Sequence, residues 1–199
     1  MKIFTIGDSH ANLPWWEIKS FNIITTHQGP MLCYSFAQRG LTKVPKGITA
    51  NDWIVYSFGE IDCRAHVHKH ITPTNTYKDI IDNIVVGYFK KINEYKNIFK
   101  TSKIAVLNIP PPQKATIVAS NKQNWPCIGT DEERKAYYLY FNEKLNEFCQ
   151  KNNFLSFNVY DKFLNNEGFL ELSLADKMGF THYYDKHKFF DEFIRNNMQ

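Results

Sequence analysis

The sequence predicts a three-layer α/β/α fold built around a central, mainly parallel five-stranded sheet. Three observations carry that expectation. Short β-branched or apolar runs alternate with segments of helical periodicity along the whole chain. Glycine or proline punctuates the ends of the first four runs. The third run, residues 52–58, is almost wholly apolar, as expected of a strand covered on both faces.

In chain order, residues 2–6 form a first strand, closed by a tight turn at Gly7, and residues 21–26 form a second. Gly29-Pro30 then opens a short helix over residues 31–38. Gly29 would be its cap, Pro30 suits the first helical position, and Gly40 closes the helix. The third strand, residues 52–58, stops at Gly59. Residues 76–95 make a long amphipathic helix, with Ile80, Ile81, Ile84, Val85, Tyr88, Phe89 and Ile92 at helical spacing. The fourth strand, residues 103–109, is halted by Pro110-Pro111-Pro112. Residues 113–129 lack periodicity and read as a long loop, a length that often marks function in a compact domain. Thr130-Asp131-Glu132-Glu133 is a capping box, and the helix after it carries Tyr137, Phe141, Leu145 and Phe148 on one stripe. Residues 155–160 are the fifth strand. A terminal helix from Asp185 turns Phe189, Phe190, Phe193 and Ile194 inward. No repeat or linker interrupts this order, so residues 1–199 are expected to form one domain.

Composition narrows the function. At 43% hydrophobic and 16% aromatic residues, the 199-residue chain can bury a substantial core. The net charge of +4 is scattered, and its longest basic run is Lys90-Lys91. That argues for solubility and against a nucleic-acid partner. Cys33, Cys63, Cys127 and Cys149 form no Cys-x-x-Cys pair, which excludes a zinc ribbon or thioredoxin motif and favours free thiols in a reducing compartment. The first residues read as a strand and not as a signal peptide. No apolar stretch approaches a membrane span. A cytoplasmic protein without a membrane partner is expected; the sequence leaves its oligomeric state open.

In a parallel sheet, ligands bind beyond the carboxyl ends of the strands. Gly7-Asp8-Ser9-His10 lies at the end of the first strand. A serine there can present its hydroxyl at the rim of the sheet, where backbone N–H groups of the turn can bind a developing oxyanion. It needs a base, usually histidine, to take its proton. Taken alone, Gly-Asp-Ser fits an ordinary turn or helix cap equally well.

Three more blocks succeed it in order. Gly29 comes after the second strand, Gly59-Glu60-Ile61-Asp62 after the third, and His182 lies in a loop before the terminal helix. With Gly7-Asp8-Ser9, this succession resembles the SGNH (GDSL-like) hydrolases over nearly the whole chain. The resemblance implies a flavodoxin-like sheet and a cofactor-free, metal-free serine hydrolase or acyltransferase acting on short acyl esters. Ser9 would be the nucleophile, His182 the base, and Asp176 the acid that orients it. Gly29, Gly59 and Arg64 would serve the oxyanion or the substrate. The stretch Gly59 to Arg64 also looks like a variant block of SGNH-like proteins associated with polysaccharide modification, which implies O-acetyl groups on carbohydrate as substrate.

Two blocks depart from the pattern. Ile61 stands where the family has an asparagine, and isoleucine donates no hydrogen bond. Losing one such donor typically costs on the order of a hundredfold in rate; Arg64 or His66 is an alternative source of charge. In the last block, Gly179 occupies the place of the aspartate three residues before His182. Asp176 lies six residues back, and a Ser-His pair without an acid is the alternative. His187, with Asp185 two residues before it, competes with His182 as base; as ordinary residues, Asp185 is a helix cap and His187 a solvated first-turn side chain.

Other residues have a bland reading beside a sharper one. His66, His68 and His70 would share one face of a strand and could hold a metal, but a loop is the simpler assignment. Trp15, Trp16 and Trp125 could stack on a sugar, yet aromatic residues are more often core or loop anchors. Two rival functions remain. Asp8 and His10 echo the metal-binding block of calcineurin-like phosphoesterases, although the Asn-His dipeptide those enzymes also need is absent from the sequence. The irregular blocks also fit a non-catalytic domain that only binds a glycan or partner.

Overall fold

Among the described residues, all pairings between strands of the central sheet are parallel. A computed structural model of the chain describes residues 1–101, 103–117, 126–175, 182 and 188–199. Within them, β1 (Ile3–Gly7), β2 (Ile23–His27), β3 (Trp53–Ser57), β4 (Ile104–Leu107) and β5 (Leu155–Phe157) form one sheet in the order β2-β1-β3-β4-β5. β1 is bonded along both of its edges. Its Ile3 pairs with Ile23 on one side and Trp53 on the other, and Gly7 pairs with His27 and Ser57. Three neighbouring strands therefore run in step and finish at the same rim.

The side-chain alternation of a strand divides the core in two. Ile6, Ile54, Tyr56, Ile104 and Val106 face one way, into a cluster with Phe36, Tyr88, Phe89 and Phe141. That face is covered by α1 (Cys33–Arg39), α2 (Tyr77–Phe99) and α3 (Asp131–Asn152). Ile3, Val55, Ala105, Leu107 and Phe157 face the other way, onto Trp15, Phe163, Phe190 and Ile194. α4 (Phe189–Asn197) covers that side. Helices on both faces of a parallel sheet are the three layers that the sequence predicts.

Local chemistry starts the long helices. Thr76 before α2 and Thr130 before α3 each accept from the backbone N–H three residues on. Asp79 and Glu133 reach back to the cap N–H at 2.8 and 2.7 Å. These are reciprocal capping boxes, which satisfy donors a helix start leaves open.

Several expectations are corrected. The short helix begins at Cys33 and not at Met31, so neither Gly29 nor Pro30 opens it. Its first donors, Cys33 N–H and Tyr34 N–H, are taken by the Asp62 carboxylate at 2.6 and 3.1 Å. A side chain 29 positions away in sequence thus sets the helix start. His66, His68 and His70 lie on helical turns, Asp62–His66 followed by Val67–His70, so they do not line one strand face. The His66 and His70 rings are 4.3 Å apart, while His68 Nδ1 meets the Tyr137 hydroxyl at 3.0 Å. Trp15 is core, edge-on to Phe157 and Phe190, and Trp16 is exposed and bonded to Asn12. Trp125, Asp185 and the start proposed for the last helix lie outside the described residues. All four cysteines are free. No described helix is long and apolar enough to cross a membrane.

Gly7 shows how closely the strands meet at the rim. A Cβ on it would stand 1.9 Å from the Ser57 carbonyl oxygen, a backbone atom that cannot move without parting β1 from β3. Gly7→Ala is therefore expected to cost about 3 kcal/mol, the upper range of overpacking, read as a lower midpoint in urea denaturation.

Candidate active site

The chain leaves β1 at Gly7 and turns at once. Asp8 N–H bonds to the Ser57 carbonyl at 3.2 Å, and the Gln28 N–H to the Gly7 carbonyl at 2.8 Å. The turn after β1 is thus held between the segments that leave β2 and β3. Asp8 caps the short helical turn Ser9–Ala11, accepting from His10 N–H at 2.9 Å. The same carboxylate oxygen lies 2.8 Å from His10 Nδ1. With Asp8 turned inward, the half-buried Ser9 faces the rim.

Ser9 Oγ lies 2.7 Å from His182 Nε2, across 173 residues of sequence. The imidazole is 7% exposed, so bulk water has little access to it. If its ring proton sits on Nδ1, Nε2 accepts from the serine hydroxyl, the arrangement a general base requires. The His10 ring stands edge-on to His182, with centroids 4.8 Å apart. Asp176 and His187 lie outside the described residues.

A buried charged cluster lies within electrostatic reach of His10. Glu60 accepts from Arg64 Nε at 2.7 Å, from Arg64 Nη2 at 3.3 Å and from the Tyr138 hydroxyl at 2.7 Å. Burial pushes the Glu60 carboxyl up; the Arg64 guanidinium, His10 and these hydrogen bonds outweigh it and hold the pKa at about 2. Burial likewise works against the Arg64 charge, and Glu60 more than offsets it, leaving its pKa raised. Gly59 has φ +122°, and a Cβ there would meet the Phe141 ring at 2.3 Å, so both backbone and packing demand glycine. Gly29 comes after Gln28 in the loop beyond β2, with φ +75°. Ile61, in the asparagine's place, is buried.

Two contributors went unread in the sequence. Asp62 belongs to the Gly59 block, but its capping of α1 depends on contact between distant segments. Gln28 Oε1 accepts from Thr42 N–H, the Thr42 hydroxyl and Lys43 N–H, all within 3.0 Å, and so fastens the loop after β2. A lone glutamine carries no such signal. Asp8 and His10, the ligands of the metal-dependent alternative, bond to each other. Among the described residues no three His, Cys, Asp or Glu side chains gather as a metal set.

No family model and no curated protein matches this sequence. Solved structures do. A GDSL-like lipase from Bacteroides thetaiotaomicron aligns over 98% of this chain and 86% of its own, with TM-score 0.62 and 13% identity. An acetylxylan esterase from Geobacillus stearothermophilus, solved as a catalytic mutant, aligns over 89% and 84%, with TM-score 0.53 and 13% identity. An extracellular lipase from Streptomyces rimosus aligns over 98% and 99%, with TM-score 0.53 and 10% identity. The fold is that of the SGNH (GDSL-like) hydrolases.

Arg64→Met is expected to cost about 3–5 kcal/mol in urea denaturation, because it strands a buried carboxylate, and Glu60→Gln added to it should recover much of the loss. Since the Glu60 pKa is depressed from 4.5 to about 2, its contribution to stability is complete above pH 4.5. It disappears as pH falls through 2. An acid titration of the parent should show that limb, and Glu60→Gln should lack it.

Proposed function

We propose that the protein is a serine-dependent hydrolase or acyltransferase acting on short acyl esters, with O-acetyl groups on carbohydrate as the substrate class. The observation that carries this reading is the 2.7 Å contact between Ser9 Oγ and His182 Nε2 at the carboxyl rim of the sheet. A fold shared with lipases and an acetylxylan esterase supports it.

In this mechanism His182 Nε2 takes the Ser9 proton as Oγ attacks the ester carbonyl. The carbonyl becomes a tetrahedral oxyanion, held by the backbone N–H groups of Ser9 and Gly29. On collapse, the ester C–O bond breaks and the imidazolium returns its proton to the leaving alcohol. Water then attacks the acyl-serine by the same route in reverse; an alcohol in its place makes the reaction a transfer. The acid at His182 Nδ1 is assigned to Asp176 on chain order. Arg64, held by Glu60, stays the candidate beside Gly59 for serving the oxyanion or the substrate. No cofactor or metal enters any step.

The second reading, a domain that binds without turnover, draws on Ile61, which puts a buried apolar side chain where the family has a donor. One experiment separates the two. A fluorophosphonate probe should label Ser9, mapped by mass spectrometry, and p-nitrophenyl acetate should be hydrolysed in the presence of a chelator. Ser9→Ala or His182→Ala should each lower kcat by at least about a thousandfold. An unlabelled Ser9 with no turnover in the parent refutes catalysis and leaves the binding module; a rate abolished by chelation points to the metal-dependent alternative.

A further inference from the structure

A cleft of about 440 Å³ opens between the loop after β2, α1 and the helical turns after β3, within the range of about 300–1,000 Å³ common for small-ligand sites. Its position comes from the sheet order. β1 lies between β2 and β3, and the turn bearing Ser9 is pinned to both neighbours, through Gln28 N–H on one side and the Ser57 carbonyl on the other. Gln28 and Ile61, from those two flanks, both line the cleft. It therefore opens next to the turn that carries Ser9, joined to it through the Gln28 N–H bond to the Gly7 carbonyl, although neither Ser9 nor His182 lines it.

Its charge is one-sided. Arg39, Lys69 and His66 line it, and no aspartate or glutamate does among the described residues. Neither Arg39 nor Lys69 forms an ion pair within the described structure, and both are exposed at the mouth. The pKa of His66 is lowered, first by burial and then by His70 and Lys69, so His66 offers a neutral imidazole as hydrogen-bond donor and the positive charge at the cleft is that of Arg39 and Lys69. The buried carboxylates nearby are already committed, Glu60 to Arg64 and Asp62 to the start of α1. The floor, by contrast, is apolar, with Met31, Leu32 and Ile61.

We propose that this cleft receives the alcohol side of the ester and that Arg39, Lys69 and His66 select an anionic group on it, a carboxylate or a phosphate, so that the substrate is an acylated acidic sugar. This rests on Ser9 being the nucleophile. An apolar floor suits the ring face of a sugar, while cations at the mouth suit a charged substituent several bonds from the reacting carbonyl. Ile61 then has a use as floor in place of the missing donor. Charge at such a distance acts on binding more than on the chemical step, so the preference resides in KM.

The test uses a matched pair of esters, 4-acetoxybenzoate and its methyl ester, which differ by one negative charge on the leaving alcohol. The parent should prefer the acid by at least about tenfold in kcat/KM at low salt, and the preference should shrink as ionic strength rises. In Arg39→Gln/Lys69→Gln the preference should fall about tenfold, chiefly through KM, while Lys162→Gln, on the other face of the sheet, keeps it. Acetylated galacturonate, galactose 6-phosphate and galactose then distinguish carboxylate from phosphate. Equal use of both benzoate esters by the parent, or a preference untouched by the double substitution, overturns the proposal. If no ester is turned over, the nucleophile reading has failed on its own. Calorimetric titration of the parent with galacturonate and galactose then decides the cleft: tighter binding of galacturonate, lost in the double variant, supports it, and no difference overturns it.

Discussion

The register of three parallel strands governs everything at the rim. β1 is locked residue for residue to β2 and β3, from Ile3 with Ile23 and Trp53 to Gly7 with His27 and Ser57. Because the three strands end together, the segments leaving them must turn in the same small volume. A glycine at position 7 lets the backbones of β1 and β3 close fully, and the next residues fold into a helical turn with nowhere to go but along the rim. Ser9 is placed by that constraint. The bond to His182 closes the arrangement from the far end of the chain, so a site of two residues depends on every layer between them.

Among the described residues, Asp8, Glu60 and Asp62 are buried in the segments that leave β1 and β3, with Asp52 buried at the opposite end of β3. Each of the first three is given partners by a different route. Asp8 takes His10 from its own turn. Glu60 takes Arg64 one helical turn on and Tyr138 from α3. Asp62 takes two backbone N–H groups of α1. Burying carboxylates is costly unless such partners are supplied, and the balance differs among them. For Glu60 the cation wins. For Asp62, burial outweighs the two N–H bonds, and the Asp8 charge adds to it, raising the pKa to about 7. Asp62 is therefore protonated more easily when folded than when unfolded. Its contribution is most favourable below pH 3.8 and is eroded as pH rises through 7, opposite in sign to that of Glu60. The loop beyond β3 is held by groups that respond to acid in contrary directions.

At the cleft the charge reverses. The cleft lined by Gln28 and Ile61 carries the basic side chains of Arg39 and Lys69 beside the apolar Met31 and Leu32, while Glu60 and Asp62 are buried against their own partners. The buried carboxylates shape the turns: Asp62 caps the start of α1, and Glu60 holds Arg64 and Tyr138.

The local sequence determined the elements. Alternation of apolar runs with helical periodicity, glycine and proline punctuation, and the Thr130 capping box are all short-range signals, and the strands and long helices lie where those signals place them, within a few residues. The order of the blocks around Gly7, Gly29, Gly59 and His182 was likewise readable, because chain order survives where identity with similar folds has fallen to 10–13%. What depended on contact between distant segments was decided only by the tertiary structure. The start of α1 belongs to Asp62, the burial of Trp15 to Phe157 and Phe190, the helical winding of His66 to His70 to packing beside α3, and the meeting of Ser9 with His182 to the stacking of all three layers. A side chain's reach is a few ångströms, and no sequence interval states which of the many residues farther along will come within it.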